Sequence, residues 1–318
     1  MAEQAIKKKY KRSRWTRDDT ELSLLALPTV VWFALFSFLP MFGLIIAFKN
    51  VKITNGSKGF LYNLFTSEWA GFENFEFMFK SSDLYKIVRN TLGYNILFLV
   101  INIVFPVILA ILINQLYSKR AAKVYQTAMF LPYFMSWLVV SYFVTAFLDN
   151  DKGLVNHMLM NMGAEPIQWY QRKEVWPYLL IFLNTWKNMG YSMVVYLATI
   201  TGIDSTYYEA AIIDGATKWQ QAKYITIPIM RTIIIIMFIM NVGKIFYSDF
   251  GLFYQVPKGS SSLFDVTIVV DVYLYNALTT GTVGMASAIA FLQSILGCLT
   301  ILAANGIVRK IDPDSAMI

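Results

Sequence analysis

Nine hydrogen-bonding side chains interrupt otherwise apolar stretches of the sequence: Asn184, Lys187, Asn188 and Tyr191, then Asn241, Lys244, Ser248 and Asp249, and finally Gln293. The first four recur at i, i+3, i+4 and i+7, which puts them on one face of a helix. Asn241, Lys244 and Ser248 read as a second such face, with Asp249 beside it. Amide and ammonium groups hydrogen-bond the polar groups of a solute, and an aromatic ring can stack on an apolar face of one. A charged side chain at the centre of a bilayer costs about 2.5–3.5 kcal/mol, so such groups face a partner or a wet path. These nine are therefore candidate substrate-pathway residues. Two structural alternatives stand beside that reading: Lys187 snorkels to an interface, or Asp249 neutralises a cation on a neighbouring helix.

A second group occupies a polar loop, 203–228, between two long apolar segments. It holds Glu209, Ala210, Ala211, Asp214, Gly215, Ile225 and Pro228. The run up to Asp214 is rich in helix formers, Gly215 breaks it, and Thr217 caps a second short helix that Pro228 closes. An amphipathic helix–glycine–helix elbow of this kind suits docking by a soluble partner. Catalysis has no comparable footprint. The sequence lacks a G-x-x-x-x-G-K-[ST] phosphate loop, a nucleophile elbow, an H-E-x-x-H helix and a dinucleotide glycine fingerprint, so this chain is not expected to bind or hydrolyse ATP and no catalytic residue is assigned. One histidine, His157, and one cysteine, Cys298, leave no multi-histidine site, thiolate cluster or intrachain disulfide, and no metal site is expected.

The elements that carry these residues are set by composition. Of 318 residues, 57% are hydrophobic and 15% charged, against an apolar share of about 45–50% in soluble domains. Several apolar runs reach the roughly 20 residues needed to cross a hydrocarbon core of about 30 Å. The expectation is an all-α integral membrane protein with about six transmembrane helices, at 24–48, 92–116, 124–148, 177–200, 229–253 and 283–308. The remaining segments are a basic N-terminal stretch at 1–23, an extracytoplasmic, aromatic-rich segment at 49–91, a core at 92–310 that holds five of the helices and the cytoplasmic loop, and a tail at 311–318. The apolar part of 24–48 is longer than the 7–15 residues of a signal peptide and no cleavage pattern follows it. Lys and Arg number 15 in the proposed inner segments and 10 in the longer outer ones, which puts both termini in the cytoplasm. The net charge of +7 reads as membrane orientation and attraction to anionic lipid, with no nucleic-acid partner.

The loop also carries a resemblance. Glu209-Ala210-Ala211, three residues, Gly215, nine residues, Ile225, one residue and Ile227-Pro228 resembles the EAA loop of permease subunits in binding-protein-dependent ABC importers. Ile227 stands where leucine is usual, a volume-conserving departure. Gly71-Phe72-Glu73-Asn74-Phe75 with Asn90-Thr91, Tyr196-Leu197-Ala198 and Ile203-Asp204 are similar to the carbohydrate-uptake, maltose-type class. Trp186-Lys187-Asn188-Met189-Gly190 and Asp271-Val272-Tyr273 are similar to its complex-sugar subgroup. The resemblance spans roughly residues 22–312 and implies a type I importer permease fold in a bacterial cytoplasmic membrane. It implies a second permease, two ATP-binding subunits that hold ATP and Mg, and an extracytoplasmic solute-binding protein. It makes the loop the coupling element that docks on the ATPase, with Pro228 setting the angle of the span that follows. Import of a non-sugar solute stays open within the family. Outside it the alternative is an ion-coupled secondary transporter with Lys244 and Asp249 as its ion site.

Overall fold

Thr16 begins the first helix: its hydroxyl accepts from the Asp19 N–H while the Asp19 carboxylate accepts from the Thr16 N–H, a reciprocal capping box. The structure, a computed structural model, describes residues 16–51 and 59–313. The basic residues at 7–14 and the end of the tail, 314–318, lie outside the described residues. Helix α1, Arg17–Phe33, runs on through a π turn at Ala34–Phe38 and a 3-10 segment at Leu39–Phe48, giving one apolar rod of 32 residues. No residue of α1 is buried. The far end of the rod is clasped instead. The Asn74 amide donates to the carbonyls of Ala47 and Lys49, at 3.0 Å each, and Gly284 lies so close that a Cβ there would sit 2.7 Å from Asn74.

Short helices α2, Phe60–Thr66, and α3, Glu73–Lys80, lead into α4, Leu84–Asn114. Helix α5, Lys119–Phe130, and a 3-10 turn at Leu131–Phe134 then bend by 100° into α6, Trp137–Leu148. After α7, Leu154–Asn161, comes α8, Trp176–Thr201. The elbow consists of α9, Ser205–Ile213, and α10, Lys218–Gln221, which continues through a π turn at Ala222–Thr226 into α11, Ile227–Ile229. Helix α12, Arg231–Val242, follows at 61°. The remaining helices are α13, Phe264–Thr267, α14, Val270–Thr280, and α15, Val283–Ile311. Sheet structure is absent among the described residues apart from one antiparallel bridge, Lys49 with Trp69.

By length and composition the rod 17–48, α4 and α15 are each able to cross a membrane, and the two bent pairs raise the number to five. Helix α8 adds a sixth rod of 26 residues, about 39 Å at 1.5 Å per residue, whose polar residues dilute its hydropathy. Two expected spans differ from their straight reading. The third is broken: Pro132 lies in the 3-10 turn and Ser136 caps α6 by accepting from Val139. The fifth ends at Val242, well short of Phe253. Gly243 closes α12 where a Cβ would meet Ile301 at 2.5 Å, and the chain then runs irregularly to a π turn at Gly251–Gln255.

Irregular backbone at membrane depth is tolerated only where other groups satisfy it. Side chains from three helices do so here. Asn95 of α4 donates to the carbonyls of Ile245 and Tyr247, at 2.8 and 3.0 Å. Gln293 of α15 donates to the Phe246 carbonyl at 2.8 Å, and Asp271 of α14 accepts from the Ser248 N–H at 2.6 Å. The apolar core runs beside this segment. Helices α4 and α8 pack along one another, with Tyr94, Phe98, Leu180 and Leu183 meeting Leu252 and Phe253 in one cluster and Val107, Ala110, Met193, Tyr196 and Met230 in the next.

Candidate functional site

The elbow is built locally. Asp204 caps α9 by accepting from the Thr206 N–H at 3.0 Å, and that backbone bond holds its carboxyl below the usual carboxylate range. Helix α9 ends in a Schellman motif: the Gly215 N–H donates to the Ile212 carbonyl at 3.0 Å and the Ala216 N–H to the Ala211 carbonyl at 2.8 Å. Gly215 has φ +77°, and a Cβ there would touch nothing within 4 Å. The left-handed backbone, not space, is what calls for glycine. Thr217 and Gln220 form a capping box that starts α10. The two limbs are tied by Tyr208 and Thr226, whose hydroxyls lie 2.9 Å apart.

This geometry presents the sequence-selected residues unequally. Glu209, Ala210, Asp214 and Pro228 are exposed, whereas Ala211 and Ile225 are half-buried; Glu209 also accepts from the Ser205 hydroxyl at 3.1 Å. Around them stand large apolar side chains, with Ile213 86%, Trp219 73% and Tyr224 66% exposed. Clustered apolar exposure beyond a membrane-crossing segment marks an interaction surface. Pro228 does not close the second helix. It sits in the first turn of α11, and the π turn before it, where the Ile227 N–H reaches back to the Ala222 carbonyl, widens the helix enough to take the ring. The break comes two residues later, at Met230.

The membrane-depth residues divide into two sites. Asn184, Asn241, Lys244, Ser248 and Asp249 line one cavity of about 310 Å³ together with Asn95, Phe98, Leu99, Asn102 and Tyr247. Lys244, Ser248 and Asp249 reach it from the irregular stretch after α12, so they do not share a helical face with Asn241. Asn95 and Asn102 were not selected from sequence, although they stand seven residues apart in an apolar run and so share a face of α4. Asn184 is 6% exposed and its amide nitrogen has no hydrogen-bond partner; neither has the Asn102 side-chain oxygen. Pro106, four residues on, has no N–H to give the Asn102 carbonyl.

Lys187, Asn188, Tyr191 and Gln293 lie outside that lining. Lys187 donates to the Tyr133 carbonyl at 2.8 Å, in the last turn before the α5–α6 bend, where a cation meets the negative end of a helix. Its ammonium also stands 5.5 and 5.4 Å from the ring centres of Tyr133 and Trp137. Trp137 in turn donates to Asp249, whose other oxygen accepts from the Gly251 N–H at 2.9 Å. Tyr191 stacks on Tyr133 at 4.9 Å, and between them Gly190 lets α8 touch α5, since a Cβ there would fall 2.1 Å from the Met129 carbonyl oxygen. Asn188 donates to the carbonyl and the side-chain oxygen of Asn184. Gln293 joins Phe246 to Asp271, at 2.8 and 3.1 Å. These four position the cavity without facing it.

At the end opposite the elbow, Asp265 accepts from Lys86 at 2.9 Å and Lys173 at 3.3 Å, joining α13 to α4 and to the segment before α8. The two ammonium groups hold its carboxyl below the usual range.

The family described as "Binding-protein-dependent transport system inner membrane component" matches residues 102–313. Protein LplB of Bacillus subtilis (strain 168) is 30% identical over 305 residues, 96% of this chain and 91% of that protein. The polygalacturonan/rhamnogalacturonan transport system permease protein YteP of the same organism is 31% identical over 290 residues, 91% of this chain and 88% of its own length. Among solved structures, a chain of a bacterial ABC transporter involved in the import of the acidic polysaccharide alginate superposes with a TM-score of 0.81 at 30% identity, covering 93% of this chain and 97% of that one.

Proposed function

The chain belongs to the family of inner membrane components of binding-protein-dependent transport systems, and from that premise we propose that it is the permease subunit of an ATP-driven importer for a sugar or oligosaccharide. Helical spans around a polar cavity, with an exposed elbow beyond them, are the parts such a subunit needs. Two proteins that match most of its length, YteP and the alginate importer chain, are named for polysaccharide transport, which supports the carbohydrate reading over another solute. An alginate importer has been solved with a periplasmic protein bound to an alginate pentasaccharide, which supports delivery by an extracytoplasmic binding protein.

In this reading the chain pairs with a second permease in a bacterial cytoplasmic membrane, with both termini inside. Two separate ATP-binding subunits carry ATP and Mg and grip the elbow, with Glu209, Ala210, Ala211, Asp214, Gly215, Ile225 and Pro228 as its working residues. The observation that carries the coupling role is the rigid, doubly capped bend at Gly215 that holds Ile213 and Trp219 in the open. Closure of the ATPase pair displaces a bend of this rigidity as one body, and α12 transmits the displacement to the irregular stretch that lines the cavity. Asn184, Asn241, Lys244, Ser248 and Asp249 contact the solute, and Lys187, Asn188, Tyr191 and Gln293 hold the walls. Co-purification tests the assignment. An affinity tag on this chain is expected to bring down ATPase subunits and a second permease, and vesicles containing that complex are expected to take up saccharide only with the binding protein on the outer side and ATP on the elbow side. Uptake driven by an ion gradient without ATP would favour the secondary transporter and overturn it.

A further inference from the structure

We infer that the groove between α12 and the end of α15 seats one anionic phospholipid, its phosphate at Arg231 and an acyl chain between the helices. The site goes beyond the transport reading and needs only that these two helices lie in a membrane. Away from the elbow they touch: a Cβ on Gly243 would fall 2.5 Å from the Ile301 side chain, and one on Gly297 would fall 3.1 Å from the Gly243 carbonyl oxygen. Toward the elbow the small residues give way to bulky ones and the helices splay. The gap encloses about 680 Å³ between Ile234, Ile235 and Phe238 on one wall and Ile307 and Ile311 on the other. Its own side chains do not fill it, since Ile307 is 60% and Ile311 67% exposed.

The charge at one end says what fills it. Arg231 lines the mouth nearest the elbow, where its Nε meets the Asp312 carboxylate at 3.3 Å and the side chain stays half-exposed. A guanidinium has five N–H donors, enough to keep a carboxylate and take a phosphate oxygen as well. Lys310, in the last turn of α15, stands three residues after Ile307 and so borders the same wall. Arg231 and Lys310 against Asp312 leave one net positive charge, the complement of a single phosphate diester. A basic mouth over an apolar gap between membrane helices is the form that anionic headgroups recognise. A helix of a second permease would suit it less, because span ends on the elbow side are themselves basic and would bring like charge to the mouth. The wall continues through Ile227 and Pro228, so the lipid lies against the limb by which the elbow enters α12.

The test is a lipid count on the native complex, purified in detergent through this chain, stripped of lipid and titrated with phosphatidylglycerol or phosphatidylcholine of matched acyl chains. Native mass spectrometry reads the number bound. The wild type is expected to hold one more phosphatidylglycerol than Arg231→Gln/Lys310→Gln, and to prefer it to phosphatidylcholine at that seat by roughly tenfold or more. Ile307→Trp, an exposed position where a larger ring fills the gap and leaves the charges in place, is expected to lose the same lipid. Because breaking the Arg231–Asp312 bridge can unsettle the helices, Lys310→Gln alone serves as the milder charge variant, expected to weaken the seat severalfold, with Lys310→Arg restoring it. Excess inorganic phosphate is expected to leave the lipid bound; displacement by phosphate would make this a free-anion site and overturn the inference. Equal counts in the wild type and all variants, as would follow if a second permease or the chain's own tail filled the groove, overturn it too, as does equal retention of the two lipids. Saccharide uptake is not the readout, so the importer reading stands or falls separately.

Discussion

The Lys187 ammonium donates to the Tyr133 carbonyl at 2.8 Å, joining the middle of α8 to the point where α5 breaks. A charge that the sequence offered as a path residue is thus the cap of a helix end. Removing a charged donor from a buried acceptor costs about 1.5–3 kcal/mol. Lys187→Met is expected to lower the melting temperature of the purified complex while leaving its saccharide affinity as in wild type. An unchanged melting temperature with a weakened saccharide affinity would return Lys187 to the path.

Gly190 sits where α8 touches α5. A methyl group would fall 2.1 Å from the Met129 carbonyl oxygen, a contact that only backbone movement relieves. Gly190→Ala is expected to destabilise by at least the 1–3 kcal/mol or so typical of overpacking, and Gly190→Leu to abolish accumulation in the membrane. Expression followed by thermal scanning of the solubilised protein measures both, and wild-type stability of the alanine variant would mean the helices do not meet as described.

Gly215 makes a different demand, because its φ of +77° is occupied in open space. Gly215→Ala is expected to cost about 1–2 kcal/mol of local conformational energy, and Gly215→Asn less, since asparagine tolerates the left-handed region. Coupled ATP hydrolysis by the complex should follow the order Gly, Asn, Ala. Equal activity in all three would separate the bend from coupling.

How far the sequence reached follows from where each constraint lies. The elbow was legible because its causes are local: Gly215, the Thr217–Gln220 box and the Asp204 cap are fixed by residues within a few positions. The end of α12 was not. Residues 243–253 are mostly apolar and read as more helix, yet the stop is imposed by Asn95, Asp271 and Gln293 from distant helices. Lys187 misled for the same reason, since its acceptor is 54 residues away in sequence. Asn95 and Asn102 carried a readable signal, a spacing of seven in an apolar run. Most of the nine membrane-depth residues do converge on one region, but only five of them face the cavity.

The contact of Asp265 with Lys86 and Lys173 predicts a pH dependence at the end opposite the elbow. Its carboxyl is held below the usual range by Lys86 first and Lys173 second. A depressed carboxylate contributes stability that is full above its unfolded value, near 3.9, and lost as pH falls through the lower folded value. Amide exchange in α13, after correction for intrinsic rates, is therefore expected to be flat from neutral pH to about 5 and to rise only below about 4. Asp265→Asn should remove that rise. A rise centred near neutral pH would mean another group controls this loop.

The central claim is that the elbow from Glu209 to Pro228 transmits ATP hydrolysis to the cavity. The most direct measurement is ATP-driven saccharide uptake, with co-purification of the ATPase subunits, for the wild-type complex against Glu209→Lys, which reverses an exposed charge without touching the fold. The account predicts that the variant accumulates normally but retains less of the ATPase subunit and loses most of its uptake. Full uptake with a full complement of bound ATPase would contradict it.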